Sequence, residues 1–208
     1  MVNKEIGEIK MNNINVLAII PAKTDSTRLK KKNLRFVNGK TLVEHSINYA
    51  LSSKLVKDII VTTESDEVIG IVNKCNKSDK PILIYDRDES YMGEREVADV
   101  YVNVFQKYNS YNNNITHVVG IQPDHPDRTN NLDDMIGYFI DNKYDDLVTV
   151  DRFGTRNGSI RIVKAEHVEN GNMSRRVGSM MDDCTNIHSE EDLNQAEENI
   201  LKGRSFNG

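Results

Sequence analysis

The chain has 208 residues, of which 38% are hydrophobic and 28% charged, the composition of a soluble globular protein with a real hydrophobic core. Its formal net charge of −5 argues against nucleic-acid binding by bulk electrostatics, and no apolar run approaches the length of a membrane span. Its two cysteines, Cys75 and Cys184, are too few for a disulfide framework and lack a paired metal-binding spacing, so the expected location is cytoplasmic.

Residues 1–13 are expected to form a flexible N-terminus because they are polar. The first ten residues lack the apolar core and the cleavage site of a secretory signal, so none is expected. Residues 14–202 are predicted to form a single domain and residues 203–208 a tail, because neither a repeat nor a linker interrupts the sequence. The first predicted strand, Asn15–Ile20, is a continuous apolar run of the kind that is covered on both faces of a sheet. Pro21 is expected to end it, because proline cannot donate to the ladder.

Strands and helices alternate along the rest of the chain. Thr41 and Glu44 form a predicted capping box at the start of a helix, while Ser65 and Ser189 are predicted to cap two later helices. The other predicted helices are Glu94–Tyr108 and Leu132–Ile140, and the other predicted strands are Asp58–Thr63, Pro81–Tyr85, Thr116–Ile121, Asp146–Val150 and Ser159–Val163. This alternation predicts an α/β fold with a mostly parallel sheet and right-handed crossovers.

Ligands of such sheets bind beyond the carboxyl ends of the strands. The loops predicted to meet there are Pro21–Asn33, Thr63–Asp66, Gln122–Arg128 and Asp151–Gly158. Six basic residues lie within thirteen positions in and just after the first loop of an otherwise acidic chain: Lys23, Arg28, Lys30, Lys31, Lys32 and Arg35.

A basic run of this kind is often no more than a solvated surface. Its position after a buried strand favours a triphosphate site instead, to which the hydroxyls of Ser26 and Thr27 and backbone N–H groups would add ligands. The G-K-[ST] ending of a Walker A loop is absent.

The segment I-I-P-A-K-T-D-S-T-R-L-K-K-K-N, from Ile19 to Asn33, resembles the N-terminal signature of the cytidylyltransferases that activate acidic sugars. The order Ser26-Thr27-Arg28-Leu29 is similar to that of the CMP-Kdo synthetases, and Lys32-Asn33 is similar to that of the CMP-sialic acid synthetases. Lys23 stands where both branches have arginine, so the positive charge is kept but the planar guanidinium, which can form two parallel hydrogen bonds, is lost. The segments N-G-K-T-L-V-E-H-S-I-N-Y-A-L-S-S and V-K-D-I-I-V-T-T-E-S-D-E-V resemble the first helix and second strand of the family.

Two later segments extend the resemblance. Gln122–Arg128, Q-P-D-H-P-D-R, resembles the Q-P-T-S-P-L-R of the sialic acid branch, and Asp124 stands where the Kdo branch has a magnesium-binding aspartate. Arg156–Ile162, R-N-G-S-I-R-I, resembles a segment near the sugar site. The resemblance covers most of residues 14–202 and implies a three-layer, Rossmann-like nucleotidyltransferase fold with a mostly parallel mixed sheet.

The chain also departs from the family pattern. The motif D-I-D-T-x-x-D-L, whose aspartates hold Mg²⁺, corresponds here to N-I-H-S-E-E-D-L, so Asn186 and His188 replace both carboxylates. An asparagine carbonyl can still serve magnesium, whereas neutral histidine is a poor ligand for so hard a cation. Asp182 and Asp183 lie just upstream as alternative ligands. The short stretch 150–156 leaves open both the identity of the acceptor and the formation of a homodimer.

The resemblance implies in-line transfer of CMP from CTP to a small acidic sugar, with Mg²⁺ as cofactor and pyrophosphate as product. The residues expected to act on the phosphates as catalytic groups are Lys23, Arg28 and Lys32. The expected nucleotide-binding residues are Pro21, Ala22, Lys23, Ser26, Thr27, Arg28, Asn33 and Arg87. The expected acceptor-binding residues are Gln122, Arg128, Arg156 and Asn157. The expected metal ligands are Asp124, Asn186 and His188.

Other interpretations remain open from the sequence. Asp124 could order a turn between prolines, Gln122 could satisfy a backbone group, and Arg128 could be a surface ion-pair partner. At the level of the whole chain, the alternatives are a nucleotidyltransferase for a phosphonate or sugar phosphate and a nucleotide-binding protein without catalysis. The expected partners are CTP and an acidic sugar, rather than nucleic acid or a membrane.

Overall fold

The computed structural model describes residues 14–24, 26–76, 80–87, 97–112, 114–170 and 176–206. The strands are β1 (Val16–Pro21), β2 (Phe36–Val37), β3 (Lys40–Thr41), β4 (Val56–Thr63), β5 (Ile82–Asp86), β6 (His117–Ile121), β7 (Asp146–Val150), β8 (Arg156–Lys164) and β9 (Val177–Met181). The helices are α1 (Leu42–Ser52), α2 (Asp66–Cys75), α3 (Val97–Asn109), α4 (Leu132–Asp141), α5 (Ala165–Asn170) and α6 (Glu190–Leu201), with a short 3-10 helix at Lys32–Leu34. In these ranges no helix is long and apolar enough to span a bilayer.

Seven strands form one mixed sheet in the order β5-β4-β1-β6-β8-β7-β9, and β2 pairs with β3 in a separate hairpin. Strands β5, β4, β1 and β6 are parallel to one another. Strand β8 is antiparallel to both β6 and β7, and β9 is parallel to β7. The carboxyl ends of six strands therefore meet at one edge, together with the amino end of β8.

Helices cover both faces of the sheet. Alternate residues of β1 point to opposite sides, so that Ala18 packs in a core with α1, α2 and α4, whereas Ile19 packs in a core with α3 and α5. Every residue of β1 is buried, as the continuous apolar run predicted. The three-layer α/β architecture with a mostly parallel mixed sheet is confirmed.

A smaller core joins α6 to the β2–β3 hairpin and to the loop after β1. Leu29 from that loop and Ile187 from the segment after β9 are both buried in it. This contact brings the described part of the basic loop 22–33 alongside residues 182–188, although at least 149 positions separate them in the sequence.

The three predicted caps are confirmed. The Thr41 side chain accepts from the backbone of Glu44 while the Glu44 carboxylate accepts from Thr41, which completes a capping box. Ser65 and Ser189 cap α2 and α6 through their side chains. Pro21 does not stop the strand before itself but is its last residue, because the N–H of the following residue supplies the next bond to β4.

Other boundaries differ from the predictions. The strand predicted at Ser159–Val163 corresponds to β8, which is longer than predicted. It is antiparallel to both of its neighbours, β6 and β7. The β2–β3 hairpin, α5 and β9 were not predicted. The predicted flexible segment 1–13 and the predicted helical residues 94–96 lie outside the described residues.

Gly120 of β6 lies directly under the ring of Tyr101, which is 7% exposed. A Cβ at Gly120 would lie 2.2 Å from the Tyr101 ring. We therefore expect Gly120→Ala to lower the free energy of unfolding by about 1–3 kcal/mol, measured by urea denaturation. The control is Gly137→Ala in α4, where an added Cβ meets nothing within 4 Å and should be neutral or stabilising. Equal stability of Gly120→Ala and wild type would contradict this close packing.

Candidate active site

A cavity of about 160 Å³ opens beyond the carboxyl ends of β1 and β6. Its lining residues are Pro21, Lys23, Ser26, Thr27, Arg28, Lys32, Asn33, Arg87, Val97, Gln122, Pro123 and Asp124. All the residues predicted to bind the nucleotide are among them except Ala22, which is fully buried and donates its backbone N–H to the Thr62 carbonyl at 2.9 Å. The structure thus brings Arg87, from the end of β5, together with the basic loop after β1.

The loop after β1 is held in place by two polar contacts. Asn33 is buried and donates from Nδ2 to the Lys23 carbonyl oxygen at 2.7 Å. Glu64, which follows β4, accepts with Oε1 from the backbone N–H of Thr24 at 2.7 Å and from its hydroxyl at 2.8 Å. Glu64 was not singled out from the sequence, although its place directly after a buried strand was a usable signal. These contacts fix the backbone that carries the basic side chains.

Lys32 and Asp124 form an ion pair inside the cavity. Lys32 Nζ lies 2.5 Å from Asp124 Oδ2, and the two side chains are only 15% and 13% exposed. Burial raises the pKa of Asp124, but the nearby His125 and Lys32 outweigh it and hold the pKa of this carboxyl well below its ordinary value. The residue predicted for the phosphates and the residue predicted for the metal therefore neutralise each other in the structure.

His188 lies against Arg28. Arg28 Nη1 is 3.4 Å from His188 Nε2. Burial lowers the pKa of His188, and the charges of Arg28 and Lys32 lower it further, so the imidazole is neutral near pH 7 and can accept from the guanidinium. This placement agrees with the poor fit of histidine to magnesium noted from the sequence, because an imidazole that faces a guanidinium is poorly placed to receive a second cation.

The segment that carries Asn186 and His188 reaches Asp124 directly. The Ile187 N–H donates to the Asp124 carbonyl oxygen at 2.9 Å. Asp124 Oδ1 is buried 3.0 Å from His125 Nδ1, and Asn186 Oδ1 is buried without a hydrogen-bond partner in the structure. Magnesium in nucleotide sites takes one or two protein oxygens and completes its shell with phosphates and water. The oxygens of Asp124 and Asn186 fit such a cation, and the imidazole of His188 does not.

The two upstream aspartates have other roles. Asp182 is fully buried and accepts from the backbone N–H and hydroxyl of Thr129, each at 2.8 Å, and from the Ser159 hydroxyl at 3.0 Å. Asp183 pairs with Arg152 at 2.6 Å. Asp182 therefore ties the end of β9 to the loop after β6 and to β8. Over the ranges that the structure describes, no three side chains of His, Cys, Asp or Glu form a cluster that could hold a metal ion.

Buried polar atoms without partners concentrate at this edge of the sheet. Among the described residues, eight buried side-chain nitrogen or oxygen atoms make no hydrogen bond, and all but Ser46 Oγ belong to the loops at the carboxyl ends. Two of them, Asp124 Oδ1 and His125 Nδ1, lie 3.0 Å from each other, which leaves five in these loops without a polar contact. Each such group costs about 1–3 kcal/mol unless something satisfies it. Groups of this kind are satisfied by water or by a polar ligand, and their concentration here is consistent with a polar ligand at this edge of the sheet.

A second cavity of about 280 Å³ adjoins the first and shares Val97 and Gln122 with it. Its other lining residues are Ala98, Tyr101, Arg156, Asn157, Gly158, Ile160 and Arg161. Three of the four predicted acceptor-binding residues lie here: Gln122, Arg156 and Asn157. The two cavities together reach the roughly 300–1,000 Å³ that is usual for small-molecule sites.

The acceptor-binding candidates differ in how far their polar groups are already engaged in hydrogen bonds within the fold. Arg156 is exposed. Asn157 is engaged by the fold, since it donates to the Asp182 carbonyl oxygen and accepts from the Thr149 hydroxyl, each at 2.7 Å. Arg161, which the sequence did not single out, makes a two-pronged ion pair with Asp146. Arg156 is therefore the best-placed cation for an anionic acceptor.

Arg128 lies outside both cavities. Its side chain is 2% exposed, its Nη2 donates to the Gln122 carbonyl oxygen, and its Cζ lies 5.1 Å from the centroid of the Tyr49 ring. It lines a different cavity of about 450 Å³, on the side of α1 and α6. The structure therefore does not place Arg128 where the resemblance implied, because its guanidinium is buried beneath the site.

Residues 17–196 match the protein family described as cytidylyltransferase. A 3-deoxy-manno-octulosonate cytidylyltransferase of Koribacter versatilis is 33% identical over 101 residues, which cover 46% of this chain and 38% of that protein. A CMP-N,N'-diacetyllegionaminic acid synthase of Legionella pneumophila is 41% identical over 56 residues, which cover 27% of this chain and 24% of that protein. The chain thus spans well under half the length of these curated relatives.

The fold has close counterparts among solved structures. A CMP-2-keto-3-deoxy-manno-octonic acid synthetase in complex with CTP superposes with a TM-score of 0.68 over 91% of this chain and 99% of that chain. The sequence identity is 13%, so this likeness concerns the fold alone.

Proposed function

This chain belongs to the cytidylyltransferase family, and on that premise we propose that it transfers CMP from CTP to an acidic sugar, with release of pyrophosphate. The acceptor that we propose is a 2-keto sugar acid of the sialic acid or Kdo kind. The observation that carries the proposal is the cavity beyond β1 and β6, which gathers Lys23, Arg28 and Lys32 within one wall. CTP-dependent synthesis makes the cytoplasm the proposed location.

The proposed reaction is an in-line displacement at the α-phosphorus. A hydroxyl oxygen of the acceptor forms the new P–O bond and the bond from the α-phosphorus to the α–β bridging oxygen breaks, so that this oxygen leaves with pyrophosphate. The hydroxyl proton passes to solvent. Lys23, Arg28 and Lys32 hold the phosphates and balance the charge that passes to pyrophosphate. When bound by the oxygens of Asp124 and Asn186, Mg²⁺ would supply further charge neutralisation. The chain forms no covalent intermediate.

The neighbouring cavity supports an anionic acceptor. Arg156 lies on its wall and Gln122 lies between the two cavities. An arginine recognises a carboxylate through two parallel hydrogen bonds, which fits the acid group of the proposed sugar. The family relatives named for 3-deoxy-manno-octulosonate and diacetyllegionaminic acid, both acidic sugars, support the same class of acceptor.

A pyrophosphate-release assay with CTP and a panel of acceptors tests the proposal. We expect release with a sialic acid or with 3-deoxy-manno-octulosonate, and background rates with ATP or GTP in place of CTP. Pyrophosphate release with sugar phosphates or phosphonates, and not with sugar acids, would contradict the proposed acceptor and favour a nucleotidyltransferase for one of those compounds. Calorimetry with CTP is the matched control, since CTP binding without release on any acceptor would favour a nucleotide-binding protein.

A further inference from the structure

Arg128 is a buried cation that supports one residue of the site. Its guanidinium donates to the Gln122 carbonyl oxygen on one side and stacks over the Tyr49 ring on the other. Its Nε is buried without a hydrogen-bond partner in the structure. Removing a guanidinium from water is costly, and an unpaired N–H adds to that cost. The position is therefore poorly explained by stability alone.

Gln122 is held from both sides of its backbone. Its N–H donates to the Ser159 carbonyl oxygen at 3.1 Å, and its own carbonyl accepts from Arg128. With both groups fixed, its carboxamide points over Gly158, where an added Cβ would lie 2.9 Å from Gln122 Nε2. Gly158 also has a φ of +80°, which favours glycine. The carboxamide is thus seated at the boundary shared by the two cavities.

The support for Arg128 extends to the last described residues of the chain. The Phe206 N–H donates to the Arg128 carbonyl oxygen at 2.5 Å, and the Phe206 ring packs edge-on against Tyr49 with centroids 6.1 Å apart. The Tyr49 hydroxyl donates to the Asn130 carbonyl oxygen at 2.7 Å. Contacts from α1 and from the segment after α6 therefore hold Arg128 and the ring beneath its guanidinium in place.

We propose that Arg128 is a positioning residue that holds the Gln122 carboxamide between nucleotide and acceptor, without contacting either. For its catalytic consequence this inference rests on the proposed function. A shift of about 1 Å in a substrate-positioning group can lower the rate by roughly 100-fold. The guanidinium suits the task, because its planar fork can donate to a carbonyl while its face lies on an aromatic ring.

The test begins with the Gln122 side-chain amide signal in ¹H–¹⁵N NMR spectra recorded without substrates, assigned by its loss in Gln122→Ala. We expect Arg128→Lys to shift or broaden this signal, and Arg35→Lys, a matched change in a solvent-facing ion pair with Glu190, to leave it unchanged. Tyr49→Leu removes the ring beneath Arg128 and should give a smaller shift of the same kind. An unchanged signal in both Arg128→Lys and Tyr49→Leu would overturn the proposal.

Kinetics supply the second readout. With an acceptor identified in the pyrophosphate assay, Arg128→Lys should lower kcat/KM for the acceptor by about 10- to 100-fold and leave the KM for CTP within roughly twofold of wild type. On a Gln122→Ala background the same change should have no further effect. Additive losses in the double variant would contradict action through Gln122. Absence of turnover in wild type, with the amide shift intact, would count against the proposed function and not against the positioning role.

Discussion

Asp124→Asn is expected to have opposite effects on nucleotide binding and on turnover. In wild type the Asp124 carboxylate neutralises the charge of the Lys32 ammonium group through an ion pair of 2.5 Å. Asparagine keeps the size of the side chain but releases the lysine charge, so CTP should bind more tightly in the absence of divalent cations, by about tenfold if roughly 1.4 kcal/mol is recovered. Magnesium-dependent turnover should fall at least about 100-fold, because the best-placed carboxylate oxygen for the cation is lost.

Calorimetry with CTP in EDTA and in Mg²⁺, beside pyrophosphate release over a range of Mg²⁺ concentrations, separates the two effects. Asp183→Asn is the matched control, since its carboxylate pairs with Arg152 instead. If Asp124→Asn weakens CTP binding in EDTA, the ion pair does not restrain Lys32. If it retains normal magnesium dependence, the cation is held elsewhere.

Lys32→Ala is expected to weaken CTP binding by about 10- to 100-fold, the range set by roughly 1.5–3 kcal/mol for a hydrogen bond to a charged group. The change also leaves the Asp124 carboxylate largely buried without its lysine partner, facing the triphosphate. Breaking a buried pair in this way destabilises a fold by several kcal/mol, about 3–5 in well-buried cases. We therefore expect a lowered Tm in addition to the weaker binding, and the double change with Asp124→Asn should restore most of that Tm.

Calorimetry with CTP measures the first effect and thermal unfolding the second. Lys30→Ala serves as the control, since Lys30 belongs to the same loop but is exposed and does not line the cavity. Arg28→Ala should weaken CTP binding with little effect on Tm, because the Arg28 side chain is exposed. Equal CTP affinity for wild type, Lys32→Ala and Arg28→Ala would remove the basis for a phosphate site in this loop.

The sequence predicted best what local physics decides. The apolar run of β1 and the caps at Thr41, Ser65 and Ser189 depend on contacts with residues a few positions away in the sequence. The local pattern is therefore enough to predict the strand and the starts of the helices. Strand β9 and the reversal of β8 were beyond reach, because both depend on which strands become neighbours. For the same reason the sequence could place Lys32 and Asp124 at one sheet edge but could not indicate that they pair.

The differences between the predicted and the observed placement of side chains in the site have a common cause. Arg128 and His188 were assigned by their positions in motifs, which locate a residue along the chain but not the direction of its side chain. In the fold, Arg128 turns inward to Tyr49 and His188 turns to Arg28. Asp182 was considered as a ligand because of its charge, whereas its donors come from Thr129 and Ser159, which lie far away in sequence.

The reversed strand β8 has a consequence for how such a protein can diversify. The cavity beyond β1 and β6, where we propose that the nucleotide binds, is lined largely by residues from the first 90. The neighbouring cavity, where we propose that the acceptor binds, is lined largely by α3 and the start of β8, which follows a tight turn at 151–155. We expect insertions in that turn to extend the wall of the neighbouring cavity and to leave the strands around the cavity beyond β1 and β6 unchanged. If the two cavities have the proposed roles, grafting longer turns between Asp151 and Thr155 should alter the acceptor preference and leave the choice of nucleotide unchanged.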